Sequence, residues 1–288
     1  MASVRQIARR IRSVENTAKI TKAMAMIAAS KLRRSQDAAT QGRSYAENMA
    51  AIVSNVVSQM DEDESHQPLL ESRPIKNAGI AIIAPDRGLT GGLNANILRS
   101  VNGFIKLQST PVKVVAVGKK SLDFARRNDL EIIAEYTGIG DRPSPGDTLA
   151  IARSITESFS KEMVDSFHIS YGHFVNTTLQ RPVIEPLLPV IPSEVAVNSV
   201  GYIFEPNAAE VLGRLLPRYV ETLVHHAVLE GNASEQSARM VAMNQATDNA
   251  NEMVGDLTLL MNKLRQETIT TELLDIVGGV AALESKKI

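Results

Sequence analysis

The residues best suited to chemistry in this 288-residue chain form a glycine-containing segment at 84–94, APDRGLTGGLN. It follows an apolar run typical of a strand and precedes a helical pattern, which is where glycine-rich loops bind phosphate. The segment lacks both the GxGxxG spacing and the Lys-Ser/Thr ending of nucleotide-binding loops, and it contains the acidic Asp86. We therefore favour a tight strand-to-helix turn, and a nucleotide-binding α/β enzyme stays open as an alternative.

The histidines do not form a catalytic or metal-binding pattern. His168 and His173 lie on opposite faces of a predicted strand, and His225 and His226 are neighbours on a predicted helix. The sequence has no HExxH, no GxSxG and no cysteine, which excludes thiolate metal sites, a cysteine nucleophile and thiol redox chemistry. We expect no catalytic residue, no metal and no cofactor.

The elements that position these residues divide the chain into three parts. All 12 prolines lie between Pro68 and Pro217, and ten of the 11 aromatic residues lie between Phe104 and Tyr219. Because proline interrupts helices, its absence from both ends permits a long helix at each. The distribution predicts a globular middle flanked by two helical ends.

The N-terminal segment has the spacing of a coiled coil and is predicted to be helical over 3–58. Ser3 is the expected N-cap, with Gln6 as its capping-box partner. The stretch AMAMIAA at 23–29 is apolar on every face, so a helix here needs contacts on all sides. Seam residues recur at alternating intervals of three and four, at Val4, Ile7, Ile11, Val14, Ala18, Thr21, Ala25, Ala28 and Leu32.

The C-terminal segment from Arg218 to Ile288 contains no proline and is predicted to be a second long helix. Pro217 predicts a kink or a late start near 213–217. The two ends match in length only each other, so they are expected to pair as an antiparallel coiled coil, assigned to residues 1–60 and 207–288.

The middle, assigned to residues 75–195, alternates strand and helix patterns. This alternation predicts an inserted Rossmann-like domain with a largely parallel, doubly wound sheet. The helical pattern at 147–163 has Asp147 as its expected N-cap. The predicted strands are 78–84, 112–118, 130–136, 167–175 and 182–190, and the other predicted helices are 96–108 and 119–128.

The charge is unevenly distributed, although the net charge is only −1. Residues 1–34 carry nine Lys or Arg against Glu15 alone, which predicts an acidic partner. A basic coiled-coil adaptor is therefore a second alternative, whereas nucleic acid is disfavoured because the basic residues lie within the heptads and no aromatic residue interleaves them. No apolar run is long enough to span a membrane.

Five motifs in order along the chain resemble the gamma subunit family of F-type ATP synthases. They are NTAKITKAMAMIAASKLRRSQ (16–36), DRGLTGGLN (86–94), YIFEP (202–206), SEQSARMVAMNQATDNA (234–250) and NKLRQETITTELLDIVGG (262–279). The resemblance implies a non-catalytic central rotor stalk that couples proton-driven rotation of a c-ring to the conformational cycle of catalytic beta subunits. The implied partners are the alpha, beta and epsilon subunits and the c-ring. The implied location is peripheral, on the cytoplasmic face of a bacterial plasma membrane.

The resemblance also assigns roles to individual residues. Residues expected to face the beta subunits are Lys19, Lys22, Met24, Arg265 and Gln266, of which the last two match positions that hydrogen-bond a catch loop of beta. The signature motif is represented by Ile269, Thr270, Glu272, Asp275 and Gly279, and the sequence departs from the family pattern at Val280, where Ala is usual. Tyr202 and Glu205 are expected in the foot that faces the c-ring and epsilon.

Overall fold

The computed structural model describes residues 3–58, 67–191, 205 and 207–284. Tyr202, which the sequence assigns to the foot, lies outside these residues. The chain packs as two compact units. One comprises Ala28–Val241, and the other comprises Met1–Ile27 together with Ala242–Ile288.

Two very long helices begin and end the fold, and an α/β segment lies between them in the sequence. The elements in chain order are α1 (Val4–Ser58), β1 (Ala78–Ile83), α2 (Leu93–Leu107), β2 (Val112–Val117), α3 (Lys119–Arg127), β3 (Glu131–Tyr136), α4 (Pro145–Ser160), β4 (Ser166–Phe174), β5 (Gln180–Leu188) and α5 (Ala208–Glu284). Every strand and helix predicted from the sequence is present, with ends that shift by a few residues except at α5, which begins ten residues before the predicted Arg218.

The five strands form one sheet in the order β3-β2-β1-β4-β5. Strands β1 to β4 are parallel, and β5 pairs antiparallel with β4 at the edge. The chain moves outward from β1 to β3 and then crosses to the other side of β1 for β4. In open α/β sheets, this change of direction creates a crevice at the carboxyl ends of the strands, which is the usual place for a ligand.

Alternate residues of β1 supply two cores, one on each face of the sheet. Ile80 and Ile82 pack with apolar residues of α2 and α3. Ala81 and Ile83 pack with α4 and, in the larger unit, with buried residues of α1 and α5. Because side chains alternate along a strand, a continuously apolar strand such as β1 is buried on both faces. This is the doubly wound arrangement predicted from the sequence.

The seam of α1 extends well beyond the predicted heptads. From Ala18 onward, small or apolar residues of α1 are buried at intervals of three, four or seven positions. They are Ala18, Thr21, Ala25, Ala28, Leu32, Ser35, Ala39, Ala46, Met49, Val53 and Val56. Val4, Ile11 and Val14 are only half-buried. A single periodic stripe along a helix of 55 residues is the pattern of a helix that packs along its whole length against a partner helix.

The helix starts confirm one predicted cap and correct another. Gln6 donates its backbone N–H to Ser3 Oγ at 3.3 Å, and Ser3 donates its backbone N–H to Gln6 Oε1 at 3.0 Å, as predicted. Asp147 is not the N-cap of α4. Ser144 caps the helix and Asp147 is its capping-box partner, because Pro145 fits the first helical position, where no N–H bond is needed.

Of the two outcomes predicted for Pro217, the late start is wrong, because α5 begins at Ala208 and contains Pro217, and the kink stays a prediction. Asn207 Oδ1 accepts the N–H of Glu210 at 2.8 Å and stabilises the helix start. Leu212 and Leu216 are at most 1% exposed. Burial of each such side chain contributes about 1.5–3 kcal/mol, enough for the pair to offset the roughly 3 kcal/mol that a proline costs inside a helix.

Candidate functional site

The loop at 84–94 lies at the carboxyl edge of the sheet, and its acidic residue is used for internal contacts. Asp86 Oδ1 accepts the backbone N–H of Lys119 at 2.9 Å, and Asp86 Oδ2 accepts the N–H of Gly138 at 2.9 Å. The first of these donors is at the start of α3, where a bound phosphate would otherwise find free N–H groups. The carboxylate therefore fills the anion position and ties the loops after β1, β2 and β3 together.

Gly118, between β2 and α3, allows the close approach on which this arrangement depends. Its φ is +94°, and a Cβ atom there would lie 1.8 Å from the carbonyl oxygen of Ala84. Glycine is required both for the backbone conformation and for the space. This supports the interpretation of the 84–94 segment as a tight structural turn.

Helix α5 covers the crevice where an α/β sheet usually binds its ligand. A Cβ atom on Gly231 would lie 3.2 Å from Ile83 Cγ2 at the end of β1. Ser234 Oγ donates to the carbonyl oxygen of Gly172 in β4 at 2.7 Å, and Ser237 Oγ donates to that of Thr177 at 2.6 Å. We call residues 230–239 of α5 the anchor segment. Because of these contacts, α5 itself occupies the crevice at the carboxyl ends of the strands, where a ligand would otherwise bind.

The anchor segment also holds the surrounding loops. Arg239 pairs with Glu235 at 2.6 Å and donates to the carbonyl oxygen of Gly88 at 3.4 Å. Burial raises the pKa of Glu235, although Arg239 acts in the opposite direction. Asn232 Nδ2 donates to the carbonyl oxygen of Gly140 at 3.3 Å. One short stretch of α5 thus contacts the loops after β1, β3 and β4.

A buried carboxylate lies at the first residue of the anchor segment. The Glu230 side chain has no exposed surface, and its Oε1 lies 2.6 Å from Arg43 Nη2 of α1. Its Oε2 accepts the backbone N–H of Phe174 in β4 at 2.9 Å. His173 Nδ1 lies 3.3 Å from Oε2, and His226 Nε2 lies 3.8 Å from Oε1.

This cluster was not predicted from the sequence, which treated the histidines as unrelated pairs. Folding instead brings one member of each pair to the same carboxylate. Burial lowers the pKa of His226, although the Glu230 carboxylate acts in the opposite direction. One feature of the sequence could have indicated this cluster. Glu230 is the one acidic residue between Glu221 and Glu235.

In the smaller unit, α1 and α5 pair antiparallel through two threonines. The Oγ1 atoms of Thr21 and Thr247 lie 2.7 Å apart. In an antiparallel pair, each step back along α1 is a step forward along α5, so Val4 at the start of α1 lies opposite position 264. Leu264 is half-buried, and every residue from 265 to 279 is exposed. The last part of α5 therefore extends past the start of its partner.

The overhanging part of α5 is apolar as well as exposed. Its large apolar side chains are between 49% and 65% exposed, at Ile269, Leu273, Leu274, Ile276 and Val277. Further back, Ile20, Met26 and Ile27 of α1 are 55–61% exposed on the side away from the buried seam. Soluble monomers rarely expose such a concentration of large apolar side chains, which marks a surface for a protein partner.

The residues expected to contact beta subunits lie on this surface at two separate levels. Lys19 and Lys22 are exposed and Met24 is half-buried, close to Thr21. Arg265 and Gln266 are exposed and lie 18 and 19 residues beyond Thr247, about 27 Å along the helix. The fold therefore does not bring the five residues into one site. It presents two sites along the helix pair.

The signature residues and the foot residue are also exposed. Ile269, Thr270, Glu272, Asp275 and Gly279 all lie on the overhang. Glu205 is exposed before the start of α5. Within the described ranges, no helix is both long and apolar enough to cross a membrane.

Comparisons with known proteins agree on one family. A family model described as ATP synthase matches residues 3–283. The ATP synthase gamma chain of Dehalococcoides mccartyi strain CBDB1 is 52% identical over 284 residues, which cover 98% of this chain and 100% of that protein. The ATP synthase gamma chain of Desulfitobacterium hafniense is 46% identical over 284 residues, which cover 99% of this chain and 100% of that protein.

Solved structures show the same fold at lower identity. A chain of the Euglena gracilis mitochondrial ATP synthase, solved with its OSCP, F1 and c-ring parts, has a TM-score of 0.68 at 19% identity and covers 99% of this chain and 95% of its own. A chain of the central stalk and c-ring of the Tetrahymena thermophila mitochondrial ATP synthase has a TM-score of 0.61 at 24% identity. The match covers 79% of this chain and 99% of that chain. Because the family model matches residues 3–283 and the two gamma chains, 52% and 46% identical, cover 98% and 99% of this chain, the chain belongs to the ATP synthase gamma chain family.

Proposed function

We propose that this chain is the central rotor stalk of a bacterial F-type ATP synthase. Rotation of a c-ring, driven by protons, turns the chain, and the chain turns inside a ring of alpha and beta subunits. Its changing orientation biases each beta subunit in turn toward a different nucleotide affinity. In reverse, ATP hydrolysis in the ring turns the chain and pumps protons.

The observation that carries the proposal is the exposed apolar surface of the helix pair in the smaller unit. An apolar surface on several sides of a helix is stable in water only inside an enclosing partner. A ring of subunits encloses a helix on all sides, whereas an adaptor that binds along one face would leave part of this apolar surface in solvent. Because the chain belongs to the gamma chain family, we identify this ring as the alpha and beta subunits of the ATP synthase.

We infer that the chain itself catalyses no reaction. The crevice of its sheet is filled by the anchor segment, and Asp86 takes the anion position at the start of α3. Both features argue against the alternative of a nucleotide-binding α/β enzyme. The chain acts through the conformations of its neighbours, and the bonds of ATP are made and broken in the beta subunits.

The residue roles follow the same proposal. Lys19, Lys22 and Met24 contact the beta subunits at one level, and Arg265 and Gln266 hydrogen-bond a loop of beta at another. The end of the α/β segment near Tyr202 and Glu205 contacts the c-ring and epsilon. The complex places the chain peripherally on the cytoplasmic face of the plasma membrane.

Reconstitution tests this function. Alpha and beta subunits of the same organism are mixed with and without this chain, and assembly and ATP hydrolysis are measured. We expect a stable complex with one copy of the chain and a several-fold higher hydrolysis rate. Equal assembly and equal hydrolysis without the chain would refute the proposal.

A further inference from the structure

Glu230 is the one charged side chain with no exposed surface in the described part of the chain. Removing a carboxylate from water is costly unless ion pairs and hydrogen bonds replace its hydration. Here the replacement comes from two other elements. Arg43 of α1 contacts one carboxylate oxygen, and the backbone N–H of Phe174 in β4 donates to the other. The side chain therefore joins α1, α5 and the sheet at one point.

Glu230 makes charged contacts at the α5–sheet junction, and the neighbouring contacts of Ser234 and Ser237 are neutral. Ser234 and Ser237, one and two helical turns further along, donate to carbonyl oxygens at and beyond the end of β4. These are neutral hydrogen bonds, whereas both bonds to Glu230 involve a full charge and are about twice as strong. On the α1 side, Gly42 leaves room for α5, since a Cβ atom there would lie 3.1 Å from Leu229 Cδ1.

We propose that Glu230 is a positioning residue that fixes α5 against the sheet, so that torque applied to the α/β segment is passed to α5 without slip. This inference rests on the proposed rotor function. Helix α5 runs from Ala208 to Glu284 through both compact units, so the attachment of the anchor segment, which begins at Glu230, connects the sheet to the rest of the helix. A loose attachment would let the sheet turn before the helix follows.

Three variants separate this role from a general loss of stability. Glu230→Gln keeps the shape but turns an NH2 donor toward either Arg43 or the Phe174 N–H, both of which are donors. Arg43→Met removes the charge of a partner that is 44% exposed, and so remains informative if Glu230→Gln does not assemble. Glu221→Gln is the matched control on the same helix, where Glu221 pairs with the exposed Arg218.

The measurement is the torsional stiffness of the rotor in the assembled complex. The head is fixed to a surface and stalled with a non-hydrolysable nucleotide, and a bead is attached to the α/β segment. Because the chain has no cysteine, Leu107→Cys gives a unique attachment point, at a residue that is 86% exposed. The angular variance of the bead reports the stiffness.

We expect at least a twofold larger angular variance for Glu230→Gln and a smaller increase for Arg43→Met, with Glu221→Gln equal to the parent. Variance equal to the parent in both Glu230→Gln and Arg43→Met would overturn the proposal and leave the rotor function intact. A parent complex that neither stalls nor rotates would instead refute the rotor function itself.

Discussion

Thr21 of α1 and Thr247 of α5 lie with their hydroxyl oxygens 2.7 Å apart, 226 positions apart in the sequence. Each hydroxyl also bonds a carbonyl oxygen of its own helix, Ala18 for Thr21 and Met243 for Thr247. The pair sets the register of the antiparallel helices in the smaller unit. It also identifies the seam along which the two helices pack.

This register predicts that the two helices can be cross-linked without loss of activity. Two cysteines at positions 21 and 247 should form a disulfide on oxidation, because the Oγ1 atoms that the sulfur atoms would replace lie 2.7 Å apart. We expect the assembled complex to hydrolyse ATP at the parent rate after oxidation, since the helices move together. Cysteines at 26 and 247, on non-facing positions, serve as the control. A large loss of hydrolysis that is reversed by reductant would show that the helices slide past each other.

Arg265 and Gln266 should matter for coupling more than equally exposed polar residues of the α/β segment. We expect Arg265→Ala with Gln266→Ala to reduce ATP-driven proton pumping several-fold, because the proposed hydrogen bonds to beta would be lost. Arg99→Ala with Lys106→Ala, on the exposed face of α2, is the control and should be near the parent. Equal effects of the two double variants would contradict the assignment of Arg265 and Gln266 to the beta contact.

The overhang of α5 predicts the behaviour of the isolated chain. Leu273, Ile276 and Val277 are 57–64% exposed, so the chain alone should self-associate at micromolar concentration. Replacing all three by Ser should reduce light scattering of the isolated chain and weaken its assembly with alpha and beta subunits. A triple variant that still scatters as the parent does, or assembles equally well, would show that this surface is not the one that the ring encloses.

Three half-buried histidines predict a loss of stability in acid. Burial lowers the pKa of His168, His225 and His226 below the ordinary value of 6.5. Below pH 6.5 the unfolded chain therefore binds more protons than the folded chain. The free energy of unfolding consequently decreases as the pH is lowered. Urea unfolding of the full chain should show a lower midpoint at pH 5.5 than at pH 7.5. His226→Gln should reduce that difference, and an unchanged difference would exclude His226 as a contributor.

Gly118 and Gly138 offer a matched test of the close approach at the sheet edge. Both have positive φ, but a Cβ atom on Gly118 overlaps the carbonyl oxygen of Ala84, whereas nothing lies within 4 Å of one on Gly138. Gly138→Ala should cost about 1 kcal/mol and Gly118→Ala about 3 kcal/mol or more in the free energy of unfolding. Chemical denaturation measures both, and equal costs would contradict the steric argument.

The long helices were predictable because their signals are local. The seam from Val4 to Leu32 is a repeat that neighbouring residues define, and the strand and helix patterns of the middle depend on short windows of sequence. The wrong prediction of a late helix start at Pro217 arose because contacts distant in the sequence decide the structure there. Local propensity argued against a helix there, but Leu212 and Leu216 are held by the core of the sheet, which lies far away in the sequence.

The Glu230 cluster was not predictable for the same physical reason. Arg43, His173 and Glu230 come from three elements, and no spacing between them in the sequence indicates that they meet. The expected beta-facing residues could be named from family resemblance, but their two separate levels became evident only from the Thr21–Thr247 register.

The most direct test of the rotor account is to watch the chain turn. Alpha and beta subunits are fixed to a surface through beta, assembled with the Leu107→Cys chain, and a bead on that cysteine is observed during ATP hydrolysis. The account predicts continuous rotation in one direction that follows the hydrolysis rate and stops when ATP is removed. A bead that stays fixed while the same complexes hydrolyse ATP would contradict it.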